Sequence, residues 1–242
     1  MFKIIRHTAI AISLVLTIPL IFWLLGCYWD PYTTTDLKLK LIFILMQTAT
    51  NPWVILTHIM LNCCIFGCLY FNKTKITVQL FLILNIVIIT GQPIKYFIKN
   101  KTQEPRPYII WLKHKYGLNI NKYYQLTNKE RKITIANLID HDQNVPSWLK
   151  QHWIKETSFA FPSGHTIFTN SWMFLIIYLL WPYRYYKTII IVSVWSYIIT
   201  LSRLLFGMHW IQDIIASIIL SWILVTIAII LIDYFSLVKI NR

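Results

Sequence analysis

Three charged or titratable residues stand close together near the end of this sequence: Arg203, His209 and Asp213. They lie where one apolar run ends and the next begins, which places them at a membrane boundary. His209 and Asp213 are four residues apart at the start of a helical run, so their side chains share one face and can touch. A carboxylate beside a histidine holds the imidazole tautomer and stabilises its protonated or substituted form. Such a group in apolar sequence indicates a binding site for a charged ligand.

Two further clusters flank a long polar stretch in the middle of the chain. At its start, Lys99 is followed by Arg106, which two prolines hold in a stiff turn. At its end, Ser163, Gly164 and His165 come directly before an apolar run that predicts a helix. Backbone N–H groups at a helix start are unpaired, and a glycine lets an anion approach them closely. The serine adds a hydroxyl donor.

Together the three clusters are suited to phosphoryl transfer. Their cations are Lys99, Arg106 and Arg203. Three cations and a helix N-terminus form a pocket for a phosphoryl group, whose transition-state charge spreads over several oxygens. His209 backed by Asp213, with His165 nearby, suits a nucleophile and a general acid.

The rest of the chain is apolar enough to need lipid as its solvent. Of its 242 residues, 57% are hydrophobic and 13% are charged, and the mean hydropathy is +0.55. In typical soluble domains about a quarter of the residues are charged. The net charge of +14 does not indicate nucleic-acid binding, because the basic residues are scattered at helix ends and along one polar loop. Anionic lipid head groups are the expected partners.

The hydropathy pattern predicts an all-α membrane protein, residues 1–242 forming one domain with six transmembrane helices. Crossing a bilayer takes about 20 apolar residues. The predicted spans are residues 9–28, 52–71, 77–97, 166–181, 188–206 and 209–235, the third interrupted by Gly91-Gln92-Pro93. Residues 99–161 contain no run able to cross and are predicted to form a long extracytoplasmic loop between the third and fourth spans. Aromatic residues in this loop, such as Trp153, are of a kind that favours the membrane interface.

The cations of the short loops predict the orientation in the membrane. Those on one side are Lys3, Arg6, Lys73, Lys75, Arg184, Lys187, Lys239 and Arg242. On the opposite side, Lys38 and Lys40 are offset by Asp30 and Asp36. Because short cytoplasmic loops carry the excess of positive charge, both termini are predicted to be cytoplasmic. The long loop and the three clusters are predicted to face outward.

The three clusters resemble the motifs of the type 2 phosphatidic acid phosphatase family. The resemblance rests on Lys99-x6-Arg106-Pro107, on Pro162-Ser163-Gly164-His165 and on Ser202-Arg203-x5-His209-x3-Asp213. All three motifs are complete and follow the family's order. Each alone would be weak, but together they are specific, and the likeness in length and layout covers the whole chain.

This resemblance implies a metal-independent lipid phosphatase of the bacterial inner membrane, without a cofactor and with its site near the outer surface. In such an enzyme His209 attacks phosphorus and is transiently phosphorylated, while Asp213 orients it. His165 protonates the departing oxygen and later activates water. The residues that hold the phosphoryl oxygens are Lys99, Arg106, Ser163, Gly164 and Arg203. The implied substrates are phosphatidylglycerol phosphate, phosphatidic acid, diacylglycerol diphosphate and undecaprenyl diphosphate.

Two other functions fit the same residues. A lipid phosphotransferase would pass the phosphoryl group to another lipid or sugar instead of water. A non-enzymatic transporter or scramblase of anionic lipids would use the cations for binding only, although no inverted repeat is visible in the hydropathy.

A metal site formed by Asp140, His141 and Asp142 together with His209 and Asp213 is disfavoured, because two-metal phosphatases need several shared carboxylates and this chain has nine acidic residues in all. The histidines outside the motifs are interpreted as structural or solvated; they are His7, His58, His114, His141 and His152. No role is assigned to Glu104 or to residues 112–151.

Overall fold

The computed structural model describes residues 2–26, 29, 37–74 and 76–238, and for residues 2–7 and 37 the backbone alone. This part of the chain contains eleven α-helices, one short 3₁₀ helix and no strand. The helices are α1 (Phe2–Leu24), α2 (Leu37–Gln47), α3 (Trp53–Phe71), α4 (Val78–Thr102), α5 (Pro107–Tyr116), α6 (Ile120–Gln125), α7 (Asn128–Ile139), α8 (Ser147–Lys155), α9 (Gly164–Leu180), α10 (Tyr186–Leu205) and α11 (Ile211–Tyr234). The predicted all-α class is confirmed.

Among the described residues, four helical runs are long and apolar enough to cross a membrane. Three of them are the helices α3, α10 and α11, and the fourth is the run Val78–Tyr116, which begins with α4. Helix α1 contributes a shorter apolar segment, Thr8–Leu24, and α9 has 17 residues. These helices support the interpretation that the chain is a membrane protein. The layout with six spans stays a prediction.

Helix α9 forms the centre of the bundle. Its residues from Thr166 to Leu180 are all buried, and it packs against α10 and α11 and also against α1, α3 and α4. A helix that is apolar all round has to be covered on every side. Because α9 begins at Gly164, the residues just before it are held against the centre of the protein.

Helix α4 runs without a break from Val78 to Thr102, so the predicted interruption at Gly91-Gln92-Pro93 is wrong. Pro93 lies inside the helix and removes one backbone hydrogen bond. Membrane helices tolerate this loss when neighbouring helices support them, and α4 packs against α9 and α11. The unbroken helix extends past the predicted end at residue 97 and carries Lys99 in its last turn.

Two regions that were expected to be loops are helical. Helix α2 lies in the first predicted loop and packs against α10. The long loop holds α5 to α8, and its helices begin at recognisable sequence signals. Pro107 is the first residue of α5, and Thr127 and Glu130 form a capping box at the start of α7.

Aromatic side chains attach the long loop to the turn between α10 and α11. Trp153 of α8 is fully buried and stacks on Tyr108, with ring centroids 5.1 Å apart. Its Nε1 donates to the Phe206 carbonyl at 3.0 Å. Tyr108 donates its backbone N–H to the Gly207 carbonyl, also at 3.0 Å. The expectation that Trp153 lies at the membrane interface is wrong, because α8 turns this side chain into the protein core.

Gly207 allows the chain to reverse between α10 and α11. Its φ is +66°, and a Cβ at this position would lie 2.5 Å from the ring of Trp29, so a larger residue would be strained. After the reversal, Met208 and His209 donate their backbone N–H groups to the Arg203 carbonyl at 3.1 and 3.2 Å. The turn therefore places Arg203 and His209 side by side.

The short loops after α3 and after α9 contact each other. Asn72 donates to the Tyr185 hydroxyl at 2.8 Å, and the hydroxyls of Thr74 and Tyr183 are 2.9 Å apart. The loops that carry Lys73 and Arg184 thus lie at one end of the bundle, as the predicted orientation requires. Other residues used for that prediction fall outside the description: Lys75, Lys239, Arg242, Asp30, Asp36 and the side chains of Lys3 and Arg6.

Candidate active site

His209 and Asp213 form a buried hydrogen-bonded pair at the start of α11. Nδ1 of His209 lies 3.2 Å from Oδ2 of Asp213, and the two side chains are 2% and 0% exposed. The same Oδ2 accepts the backbone N–H of Trp210 at 2.9 Å, which caps the helix. Helix α11 begins at Ile211, so the predicted start at residue 209 is too early. The Asp213 side chain extends from the first turn of the helix to the imidazole of His209, which precedes the helix. With Nδ1 engaged, Nε2 is the ring nitrogen left for a ligand.

Positive charge surrounds this imidazole. Burial holds the pKa of His209 well below its ordinary value, and the charges of Arg106, Arg203 and Lys99 lower it further. The ring is therefore neutral at neutral pH, and Nε2 keeps the lone pair that a nucleophile needs.

Arg203 is fully buried near the end of α10. Its Nη1 lies 3.0 Å from Sδ of Met46 and 3.4 Å from Nε2 of His152. Its Nε and Nη2 have no hydrogen-bond partner within the described part of the chain. These two nitrogens share one edge of the guanidinium, the edge that binds carboxylate or phosphate with two parallel hydrogen bonds.

Arg106 is also buried and uses all three of its nitrogens within the protein. Nε donates to the Ser158 carbonyl at 2.7 Å, and Nη1 donates to the Met208 carbonyl at 3.3 Å. Nη2 donates to Ser158 Oγ at 2.9 Å and to Glu156 Oε2 at 3.1 Å. The guanidinium thus ties the segment before α9 to the turn that carries His209.

Glu156 is a carboxylate of the site that is not among the predicted residues. Burial acts to raise its pKa, but the positive charges of Arg106 and Arg203 outweigh burial and leave the pKa below its ordinary value. Glu156 is therefore an anion among cations. It offsets part of the positive charge that a phosphoryl group would meet.

The start of α9 is tied to the start of α11. Ser163 Oγ accepts from the backbone N–H of Thr166 at 3.4 Å and from its hydroxyl at 3.0 Å, so Ser163 caps the helix. The Ser163 N–H donates to Ser217 Oγ at 2.7 Å, and Ser217 Oγ donates to the Asp213 carbonyl at 2.5 Å. The neighbouring His165 has its Nε2 2.9 Å from the hydroxyl of Thr50.

Two lysines one turn apart on α4 border the site. Lys99 donates to the carbonyls of Phe159 and Ala160, the latter at 2.7 Å. Lys95, which is not among the predicted residues, lies over Gly164: a Cβ there would be 2.6 Å from Lys95 Cδ and 3.0 Å from its Nζ. Lys95 therefore occupies the close approach that Gly164 was expected to offer an anion, and it brings an ammonium group to the start of α9. The spacing of four residues from Lys99 on a helix could have indicated this position.

Glu104 connects the first motif to the third. Its Oε1 accepts from Gln212 at 2.9 Å, and its carbonyl accepts the Ala160 N–H at 2.7 Å. Glu104 thus joins the segment before α5, the segment before α9 and the start of α11 at the edge of the site.

The remaining histidines and the acidic cluster of the loop have separate surroundings. Nε2 of His58 lies 2.8 Å from Oδ1 of Asn85, between α3 and α4, and His114 and His141 are exposed. Asp142 accepts from Lys115 at 2.5 Å and from the Tyr116 hydroxyl at 2.8 Å. His152, interpreted as structural or solvated, is buried beside Arg203, so the solvated reading is wrong.

Comparison with known proteins identifies the family of this chain. A family model described as the PAP2 superfamily matches residues 77–236. Phosphatidylglycerophosphatase B of Escherichia coli (strain K12) is 41% identical over 226 residues, which cover 93% of this chain and 88% of that protein. Phosphatidylglycerophosphatase B of Haemophilus influenzae is 26% identical over 215 residues, covering 86% of this chain and 87% of that protein.

The chain therefore belongs to the PAP2 superfamily, and the predicted family resemblance is confirmed. Its similarity to phosphatidylglycerophosphatase B further makes it a lipid phosphate phosphatase. The membrane-length helices and the bacterial relatives together indicate a bacterial inner-membrane protein.

Proposed function

We propose that this protein hydrolyses lipid phosphates and diphosphates through a phosphohistidine on His209. The observation that carries the proposal is the buried pair of His209 and Asp213, which leaves Nε2 available next to the cations of the three motifs. The guanidinium of Arg203 adds two donors, Nε and Nη2, without a partner within the described residues. A buried guanidinium of this kind requires acceptors, and phosphoryl oxygens supply them.

In the first chemical step, Nε2 of His209 attacks phosphorus. A phosphorus–nitrogen bond forms while the bond from phosphorus to the lipid oxygen breaks, and His165 transfers a proton to that departing oxygen. Asp213 accepts the Nδ1–H of His209 at 3.2 Å, so its negative charge stabilises the substituted imidazole. A water molecule then attacks the phosphohistidine, the phosphorus–nitrogen bond breaks, and His165 takes a proton from the water.

The charge of the transferred group is balanced by protein side chains. Arg203, Arg106 and Lys99 supply positive charge, and Ser163 and the Gly164 N–H supply neutral donors at the start of α9. In this mechanism no metal ion or cofactor is needed, because the fixed cations fill the role that a metal has in other phosphatases.

The substrates proposed first are phosphatidylglycerol phosphate, for which the relatives are named, and phosphatidic acid. Diacylglycerol diphosphate and undecaprenyl diphosphate follow from the family resemblance. The protein is proposed to cross the membrane six times with both termini in the cytoplasm. The site then opens on the extracytoplasmic side, and the contact between the loops after α3 and α9 supports this arrangement.

Phosphate release tests the proposal. Short-chain phosphatidic acid and a polyprenyl diphosphate are given to the detergent-purified protein in excess chelator. Wild type, His209→Ala and the control His114→Ala, an exposed histidine, are compared. We expect release by wild type and by the control and none above background by His209→Ala. Release that the chelator abolishes, or that persists in His209→Ala, contradicts the mechanism.

The two other functions give different results in the same preparation. A phosphotransferase forms a new labelled lipid when an acceptor lipid is added, at the expense of free phosphate. A transporter moves a labelled lipid between vesicle leaflets without releasing phosphate.

A further inference from the structure

The hydroxyl of Thr50 contacts the imidazole of His165 from the connection between α2 and α3. Thr50 Oγ1 lies 2.9 Å from His165 Nε2, although the two residues are 115 positions apart in the chain. Thr50 belongs to none of the three motifs and is half-buried. The contact therefore reaches a site residue from a part of the chain to which no function has been given.

We propose that Thr50 is a positioning residue that holds His165 through Nε2 and leaves Nδ1 to exchange a proton with the substrate. The proposal rests on the function proposed above, in which His165 is the general acid. It concerns the geometry of that acid and assigns no contact between Thr50 and the lipid.

In this proposal the hydrogen bond runs from His165 to Thr50. Thr50 Oγ1 lies 3.4 Å from the carbonyl and 3.7 Å from Sδ of Met46, one turn earlier, and both of these atoms are acceptors. We assign the hydroxyl hydrogen to Met46, so that a lone pair of the oxygen accepts the Nε2–H of His165. Neutral His165 then carries its proton on Nε2 and a lone pair on Nδ1.

This arrangement serves both steps of the reaction without movement of the ring. The imidazolium has an N–H at each nitrogen, so Thr50 still accepts from Nε2 when Nδ1 is protonated. In the first step Nδ1–H gives its proton to the lipid oxygen as the bond to phosphorus breaks and the bond from phosphorus to His209 forms. In the second step Nδ1 takes a proton from water, whose oxygen bonds to phosphorus as the phosphorus–nitrogen bond breaks.

The segment that carries Thr50 is held in place from several sides. The backbone N–H of Thr50 donates to the Gln47 carbonyl at 2.9 Å. The preceding Thr48 accepts from Trp195 Nε1 of α10 at 2.9 Å through its hydroxyl. Its carbonyl accepts from the Thr57 hydroxyl of α3 at 2.8 Å. A rigid support of this kind is what a catalytic side chain needs to keep a productive orientation.

Burial lowers the pKa of His165, and the charges of Arg203 and Arg106 lower it further, whereas Glu156 raises it. The negative charge of a bound phosphoryl group acts in the same direction as Glu156 and favours the protonated ring that the acid step needs. Thr50→Val removes the hydroxyl and keeps the shape and these charges, whereas Thr50→Ser keeps the hydroxyl. The two variants thus separate the hydrogen bond from packing and from charge.

The test uses substrates that differ in their need for an acid. Dioctanoyl phosphatidic acid releases an alkoxide, which has to be protonated as it leaves. Dioctanoylglycerol diphosphate and an aryl phosphate release weakly basic groups, which leave without much help. The measured quantity is kcat/KM, because it reports the steps up to release of the first product and excludes later hydrolysis of the phosphohistidine.

For Thr50→Val we expect kcat/KM with phosphatidic acid to fall by about 10- to 100-fold, part of the roughly 10²–10⁴-fold contribution of a general acid. With the two weakly basic leaving groups the loss should stay within about threefold, and Thr50→Ser should resemble wild type on all substrates. His165→Ala should show the same dependence on the leaving group, more strongly. Orthovanadate resembles phosphate, so its inhibition constant for each variant checks that the residues proposed to hold the phosphoryl oxygens still bind an anion.

Equal losses on all substrates, or a Thr50→Ser variant as impaired as Thr50→Val, would overturn the inference and leave Thr50 as a packing residue. A wild-type rate for Thr50→Val on phosphatidic acid would overturn it as well. Failure of the proposed function looks different, because the wild-type protein would then release no phosphate from any of the lipids.

Discussion

The imidazole of His152 lies beside the guanidinium of Arg203, with Nε2 3.4 Å from Nη1. Burial, together with the positive charge of Arg203, lowers the pKa of His152 to about 3, so the ring is neutral and its Nε2 can accept a hydrogen bond. His152 and Met46 thereby engage Nη1, while Nε and Nη2 have no partner among the described residues; this is the edge that we propose binds a phosphoryl group. A residue of the long loop thus orients a cation of the third motif.

Replacement of His152 by phenylalanine tests this relationship. Phenylalanine keeps an aromatic ring between Phe43 and Phe206, which flank His152, but it cannot accept from Arg203. A hydrogen bond to a charged group contributes about 1.5–3 kcal/mol, so kcat/KM for phosphatidic acid should fall at least about tenfold. His152→Gln keeps an acceptor oxygen and should lose less. Equal losses in the two variants would show that packing alone matters.

His152 also predicts how stability depends on pH. Its pKa is about 3 in the folded protein and about 6.5 in an unfolded chain. Below about pH 6.5 the unfolded chain therefore binds a proton that the folded protein does not bind. As the pH is lowered below about 6.5, the free energy of unfolding should decrease by up to about 1.4 kcal/mol per pH unit, until the pH approaches the pKa of the folded protein.

Thermal unfolding of wild type and His152→Gln in detergent, from about pH 7 to about pH 4, measures this effect. Carboxylates contribute to both curves, so the difference between the two slopes is the relevant quantity. The variant should lose less stability on acidification. Parallel curves would contradict the assignment of a neutral, buried His152.

An added methyl group at Gly164 should disturb the start of α9 without straining the backbone. A Cβ there would lie 2.6 Å from Cδ of Lys95, so Gly164→Ala has to displace the lysine from the start of α9. We expect kcat/KM to fall at least about tenfold, since one preorganised donor at an oxyanion contributes about 10²–10³-fold. Gly67→Ala is the matched control, because a Cβ at Gly67 meets nothing within 4 Å. Similar activities of the two variants would argue against a role for this close contact.

Asp213 has two functions that can be separated by substitution. Asp213→Asn keeps an oxygen that accepts the Trp210 N–H, so the cap of α11 and the unfolding temperature should stay close to wild type. The same oxygen can still accept the Nδ1–H of His209, but the negative charge that stabilises the substituted imidazole is lost, so kcat should fall by about three to four orders of magnitude. Asp213→Ala should lose the cap as well, at about 1 kcal/mol of stability. A near-normal kcat in Asp213→Asn would exclude the role assigned to this pair.

The position of the three motifs in the fold could be predicted, because each motif stands at the end of an apolar run, where a helix begins or ends. The types and the spacing of Arg203, His209 and Asp213 indicate their chemistry, which stays a prediction. The predicted start of α11 is too early because His209 and Trp210 precede the helix. Asp213, inside the helix, accepts the Trp210 N–H as a cap and also contacts His209.

The residues that support the motifs could not be predicted in the same way. Thr50, His152 and Glu156 reach the site through contacts between distant parts of the chain, and the fold of the long loop creates two of these contacts. Short helices such as α8 are stabilised by packing rather than by a strong local signal. Trp153 shows the same limitation, since its burial against Tyr108 depends on how α8 lies on the turn at Gly207.

A phosphohistidine on His209 can be trapped and located chemically. Purified protein is mixed with phosphatidic acid labelled with ³²P in the phosphate, quenched in alkali within the first turnover, digested and mapped. We expect label on the peptide that contains His209; this label should be lost on acid treatment and absent in His209→Ala. Rapid phosphate release with no labelled protein at any time, or label on another residue, would contradict it.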